Sequence, residues 1–213
     1  MRQTIVQKMS RMSTAIDNSM KYPEILAALK KVGYNQQMIL AGKASLEEFR
    51  MLHESQSQKY GDQFEVGKAF KEDIKQAKQI HATHRKLAKI AYASDISMYT
   101  RLGLGKFETA VDSWLNYAEN FYNVLIKDSS TLQEYGVSEE EVAQTLASIQ
   151  ALFDARHKHF ACKGEAQHAT HKRNEAMRKM DAWMSDFKKA ARFALRDEPE
   201  LLEVLGIFVR THV

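Results

Sequence analysis

The sequence predicts an all-α protein, and three observations carry that reading. Two prolines, Pro23 and Pro199, and nine glycines punctuate 213 residues, whereas a β-sandwich needs a turn roughly every dozen residues. Apolar residues recur at steps of three and four over long stretches, the period of one helix face. The chain also repeats its landmarks. Gly33 opens a run that closes at Leu102-Gly103-Leu104, and 103 positions later Gly136 opens one that closes at Leu205-Gly206-Ile207. Between them, without a gap, Ala44-Ser45 falls on Ala147-Ser148, Gly61 on Gly164, Glu72 on Glu175, Lys86 on Lys189, Ala88 on Ala191 and Ala91 on Ala194. The expected architecture is an elongated helical bundle or coiled coil built from an internal duplication, with two long helices and shorter amphipathic ones.

The elements follow in order. Ile5, Met9, Met12 and Ile16 mark a short amphipathic helix over about 4–19, ended by Lys21-Tyr22-Pro23. Pro23 suits the first turn of a second helix, where its missing N–H costs nothing. Ile25, Leu26 and Leu29 line that helix, and Gly33 stops it as a left-handed cap. Asn35 caps the first long helix. From Phe49 the seam runs through His53, Gln56, Tyr60, Gln63, Gly67, Phe70, Ile74, Ala77, His81, His84, Ala88 and Ala91. This spacing of about 3.5 holds one stripe against a partner helix. Other helices are expected to cover the neighbouring Leu52, Phe64 and Ile80. A continuous helix to about Ser94 would be roughly 90 Å long; the rival is a hairpin broken near Gly61.

Ser94-Asp95 caps a short helix with Met98, Tyr99 and Leu102, closed by Gly103. Phe107, Ala110, Val111, Trp114, Leu115, Ala118, Phe121, Tyr122 and Leu125 then form a wide apolar face. This helix takes the place that residues 4–19 hold in the first copy. A short turn through Leu132 and Tyr135 reaches Gly136, and Ser138 to Glu141 reads as a capping box. The second long helix carries Val142, Leu146, Ile149, Phe153 and Phe160, then Met177, Met180, Met184, Phe187, Ala191 and Ala194. Asp197-Glu198-Pro199 ends it and starts a last helix with Leu201, Leu202 and Leu205. The whole is expected to be a single helical domain over 1–213, made of two pseudo-repeats at about 1–104 and 105–207.

Composition excludes little but bounds much. Apolar residues make up 44 % and charged residues 27 %, with a formal net charge of +4. That charge is too small to imply a nucleic acid without a patch. A single cysteine, Cys162, permits no internal disulfide and no cysteine-rich zinc cage. No secretory signal and no spanning segment are evident, so a cytoplasmic protein without a membrane partner is the expectation.

The candidate chemistry is sparse. Glu165-x-x-His168, with His171, has the i, i+3 spacing of carboxylate-bridged metal sites in helical bundles. Such a site needs the pattern twice, and the matched place here reads Asp62-x-x-Glu65. A looser metal or small-ligand site near Glu165, His168 and His171 remains an alternative. His81 and His84 fall where the second copy has Met184 and Phe187, so either they are satisfied seam histidines or they form a proton-sensitive weak point. Arg173 stands at the place of Phe70 and must find an acid, Glu72 or Glu175, or reach outward. Arg178, Lys189, Arg192 and Arg196 make a basic face that is either solvated or able to follow phosphates. Cys162, three residues after His159, is a weak nucleophile candidate. No phosphate loop, nucleophile elbow or His-Glu-x-x-His motif occurs.

Arg192-Phe193-Ala194-Leu195 leading to Pro199-Glu200-Leu201-Leu202-Glu203-Val204-Leu205-Gly206-Ile207, with Gly164-Glu165-Ala166-Gln167, Thr170 and Arg173, resembles a family of uncharacterised all-helical bacterial proteins of similar size. The resemblance implies a helical fold and little else. The expectation is therefore a non-enzymatic helical scaffold that presents a surface to a protein partner or to itself, with no catalytic, cofactor or metal site assigned. The alternatives are an anion or nucleic-acid binder and a bundle with a metal or small-ligand site.

Overall fold

The computed structural model describes residues 4–106, 108–128 and 130–209. Among them are eight α-helices and no strand: α1 (Ile5–Lys21), α2 (Pro23–Lys31), α3 (Gln36–Ala91), α4 (Ile96–Arg101), α5 (Val111–Lys127), α6 (Ser130–Gln133), α7 (Glu139–Ala194) and α8 (Pro199–Val204). α3 and α7 have 56 residues each, and α1 and α5 have 17 each. Helix α3 runs unbroken through Gly61 and Gly67, and α7 through Gly164, so the hairpin alternative is excluded. A helical glycine costs only about 1 kcal/mol relative to alanine, too little to end a helix that long packing holds.

Local signals start and stop these helices. Thr4 caps α1 by accepting from the Gln7 N–H while the Gln7 side chain accepts from the Thr4 N–H. Asn35 accepts from the Met38 N–H at 3.1 Å, and Pro23 and Pro199 sit in the first turns of α2 and α8. Four glycines, Gly33, Gly103, Gly136 and Gly206, have positive φ. Each closes a short helix with the same pair of bonds, as at Gly33→Lys30 and Tyr34→Leu29. The residues after them, Tyr34, Leu104, Val137 and Ile207, are all buried. This is a Schellman turn with its apolar contact, and only glycine adopts the left-handed position without strain.

The chain divides into two compact units that run across the expected halves. One comprises residues 1–59 and 166–213, the other residues 60–165. Each has its own core, where a shared seam without separate cores was expected. The first gathers Met12, Ile16, Ile25, Leu29, Phe49, Met180, Phe187 and Leu205. The second gathers Phe70, Ile74, Met98, Trp114, Leu115, Phe121, Tyr122 and Leu152. The reason lies in the long helices: α3 and α7 each supply one part of their length to one core and the rest to the other.

The α3 seam is buried or half-buried throughout except at Tyr60, which is 62 % exposed. Two of its three neighbours depart from expectation. Leu52 is half-buried, but Phe64 and Ile80 face solvent, Phe64 at 69 %. Helix α5 begins at Val111, and Phe107 lies outside the described residues.

Candidate functional site

The most polar part of either core is the C-terminal part of α3 facing α5. His81 and His84 are 4 % and 3 % exposed. His84 Nδ1 lies 2.9 Å from the Tyr122 hydroxyl and Nε2 lies 3.0 Å from Glu141 Oε1. A carboxylate only accepts, so in the neutral ring Nε2 carries the proton and Nδ1 accepts from Tyr122. Burial, with Glu141 adding to it, pushes the Tyr122 phenol well above its ordinary pKa, so the hydroxyl stays protonated and donating. Both nitrogens of His84 are thereby satisfied, which is what permits an imidazole in a core.

His81 is different. Its ring meets Phe121, Tyr117, Trp114 and Tyr122 edge-on, with centroids 5.0–6.0 Å away. Its buried Nε2 has no hydrogen-bond partner. Burial, then the nearby Arg85 and His84, lowers its pKa to about 4, so the ring is neutral at physiological pH.

Arg85 ties this region together. Its Nε donates to the Tyr117 hydroxyl at 3.0 Å and its Nη2 to the Leu104 carbonyl at 2.8 Å, with a further bond to the Lys106 carbonyl. Lys78 donates to the Thr109 carbonyl at 3.3 Å and lies over the Trp114 ring at 5.3 Å. Beside these groups opens a cavity of about 420 Å³ lined by His81, Trp114, Tyr117, Lys78, Lys86 and Lys106, with Arg85 and Glu108 also present.

At the offsets of the sequence landmarks, the other unit carries apolar residues. Counting 103 positions along the long helices, and 106 from α1 to α5, His84, Tyr122 and Glu141 fall on Phe187, Ile16 and Met38. The first three share hydrogen bonds, whereas of the second three Ile16 and Phe187 are buried and Met38 is 43 % exposed. The Lys78–Trp114 contact likewise falls on Asp181 and Lys8, which form an ion pair at 2.7 Å. A cavity recurs there too, about 510 Å³, lined by Arg11, Met184, Lys188, Arg192 and Glu203 with the Gly206 turn.

The remaining candidates are scattered. Glu141 was expected to complete a capping box; Ser138 Oγ does accept from the Glu141 N–H at 3.1 Å, but the Glu141 carboxylate reaches His84. Arg173 finds neither expected acid: it donates to Gln56 Oε1 at 2.9 Å and to Asn174 Oδ1 at 2.7 Å. Neutral amides accept from a guanidinium without requiring a second charge to be desolvated. On the basic face, Lys189 pairs with Asp186 and Arg196 with Asp197, while Arg192 joins the second cavity and Arg178 is exposed. Glu165, His168 and His171 lie along the exposed side of α7, with His171 3.4 Å from Glu175. Among the described residues no group of three or more His, Cys, Asp or Glu is placed to hold a metal ion. Cys162 is half-buried.

No family model, no curated protein and no solved structure matches this chain. Its functional reading therefore rests on its own residues. No described helix is long and apolar enough to cross a membrane.

One surface feature was missed at the sequence level. Phe64 and His159 line an open groove of about 350 Å³ with Gln63, Gly67, Lys68, Lys71 and Glu72. Phe160, 51 % exposed, stacks on His159 at 5.9 Å, and Arg156 lies over it at 4.9 Å. Gly67 makes this possible, because a Cβ there would lie 3.3 Å from His159 Nε2. The signal in the sequence was Tyr60 and Phe64, four residues apart on one helix face, beside a seam that has no room for Phe64.

Proposed function

We propose that the chain is a non-enzymatic helical scaffold, formed by internal duplication, that docks a protein partner on the aromatic groove of its second unit. The observation that carries the reading is the exposure of Tyr60 and Phe64 beside the His159–Phe160 stack. Large apolar side chains grouped in the open and flanked by cations favour a partner surface over solvent. Lys68 and Lys71 stand beside a single carboxylate, Glu72, in the groove, a modest basic excess that suits a segment with an apolar anchor and an acidic neighbour. The partner is a different protein or a second copy of this chain.

Duplication is supported by the equal lengths of α1 and α5 and of α3 and α7, and by four glycine turns in matching places. Two copies of one fold plan allow one to keep an apolar interior while the other acquires polar and surface features.

The test is the double variant Phe64→Glu/Phe160→Glu in the full chain. Both side chains are exposed, so its thermal midpoint should match the parent's. Light scattering across concentration reads self-association, and tagged capture from the native cells reads other partners. The proposal requires loss of a partner that the parent holds. A monomeric parent whose captured proteins are unchanged in the variant contradicts it.

A further inference from the structure

Beyond partner docking, we infer that the cavity bounded by His81, Trp114 and Tyr117 is a binding site for a small aromatic carboxylate. Three observations point there independently. Both units have a cavity between the long helix and its short packing helix, closed in one by residues that follow the Gly103 turn and in the other by the Gly206 turn itself. Its inner wall is aromatic, and Arg85 fixes that wall by holding Tyr117 and the Leu104 carbonyl together. And His81, 4 % exposed and lining the cavity, leaves Nε2 without a partner. A buried imidazole nitrogen with no bond costs free energy that a fold has no reason to retain. The matched position, Met184, shows that the plan accepts a thioether there instead.

The charge around the cavity selects the sign of the ligand. Lys78, Arg85, Lys86 and Lys106 face a single carboxylate, Glu108. Arg85 and Lys78 spend hydrogen bonds on backbone carbonyls, whereas Lys86 and Lys106 are exposed with no ion pair among the described residues. An acid head meets these two ammonium groups at the rim, and a flat apolar body lies against the Trp114 and Tyr117 side. The volume, about 420 Å³, suits a ligand of one or two rings. The inorganic anions fit less well, since most of the wall offers them no hydrogen bond.

The experiment uses the full chain labelled with 5-fluorotryptophan, which has two fluorine signals, Trp114 and Trp183. Indole-3-acetate, phenylacetate and the neutral indole-3-acetamide are titrated in turn. The Trp114 signal should move saturably with the two acids while Trp183 stays still, and the amide should bind at least ten-fold more weakly. Lys86→Glu/Lys106→Glu should weaken the acids at least ten-fold without changing the thermal midpoint. His81→Phe should weaken both acids as well. Absence of a saturable Trp114 shift, equal binding of acid and amide, or undiminished binding by the charge-reversed variant would each overturn the inference. None of these outcomes bears on Phe64 or Phe160, so this site and the docking surface fail separately.

Discussion

His81 sets the pH response at the scale of single residues. Its folded pKa, about 4, lies below the ordinary 6.5 because burial penalises the charged ring and Arg85 and His84 add repulsion. The unfolded chain therefore binds the proton first as pH falls, and stability is lost between about pH 6.5 and pH 4. The loss is on the order of 3 kcal/mol on the free-energy scale of a pKa shift. Thermal midpoints measured from pH 7 to pH 4 should fall, and His81→Met, the residue of the other unit, should flatten the slope. An unchanged slope in the variant would assign the acid sensitivity elsewhere. Gly42 gives a second residue-level test: a Cβ there would lie 2.2 Å from the Trp183 ring, which stacks on Phe187 and donates to the Met38 carbonyl. Gly42→Ala should destabilise by about 1–3 kcal/mol, as overpacking does, read by chemical denaturation. The pairing of His81 and His84 against Met184 and Phe187 was legible from spacing alone. Their partners were not, because Glu141 and Tyr122 reach His84 across sequence separations that only packing closes.

Glycine means different things in different elements. Gly61 and Gly164 are helical and a Cβ would meet nothing within 4 Å at either. Each change to alanine should stabilise by up to about 1 kcal/mol through helix propensity. Gly67→Ala should gain less or nothing, since the added methyl presses on His159. At the turns the sign reverses. Gly136→Ala meets no neighbour but keeps φ at +82°, costing about 1 kcal/mol. Gly103→Ala should cost more, because its Cβ would also lie 2.9 Å from the Tyr117 ring. Denaturation midpoints of the five variants should order accordingly; a stabilised Gly103→Ala would contradict the turn geometry. Most of the element structure was readable: caps at Asn35 and Pro23, the four glycine stops and the long-helix bounds all follow from local chemistry. The exposure of Phe64 and Ile80 was not readable, because periodicity says which residues share a face but not which faces find a neighbour.

At the scale of the whole molecule, the two compact units can be compared at the offsets of the sequence landmarks. One unit carries Ile16, Met38 and Phe187, the first and last buried, where the other carries Tyr122, Glu141 and His84 in a hydrogen-bonded group. The sequence landmarks fall into two linear halves, whereas the compact units combine residues 1–59 with 166–213 and take 60–165 by themselves, because each long helix serves two cores. Function is proposed where the second unit departs from the first and where it exposes aromatic surface. Photo-cross-linking from position 64 measures that proposal most directly, with benzoylphenylalanine placed there and, as a control, at the exposed Lys75. In native cells position 64 should yield a discrete adduct that Phe160→Glu removes, while position 75 yields none of the same mass. Identical adducts from both positions, or an adduct at 64 indifferent to Phe160→Glu, would contradict the account.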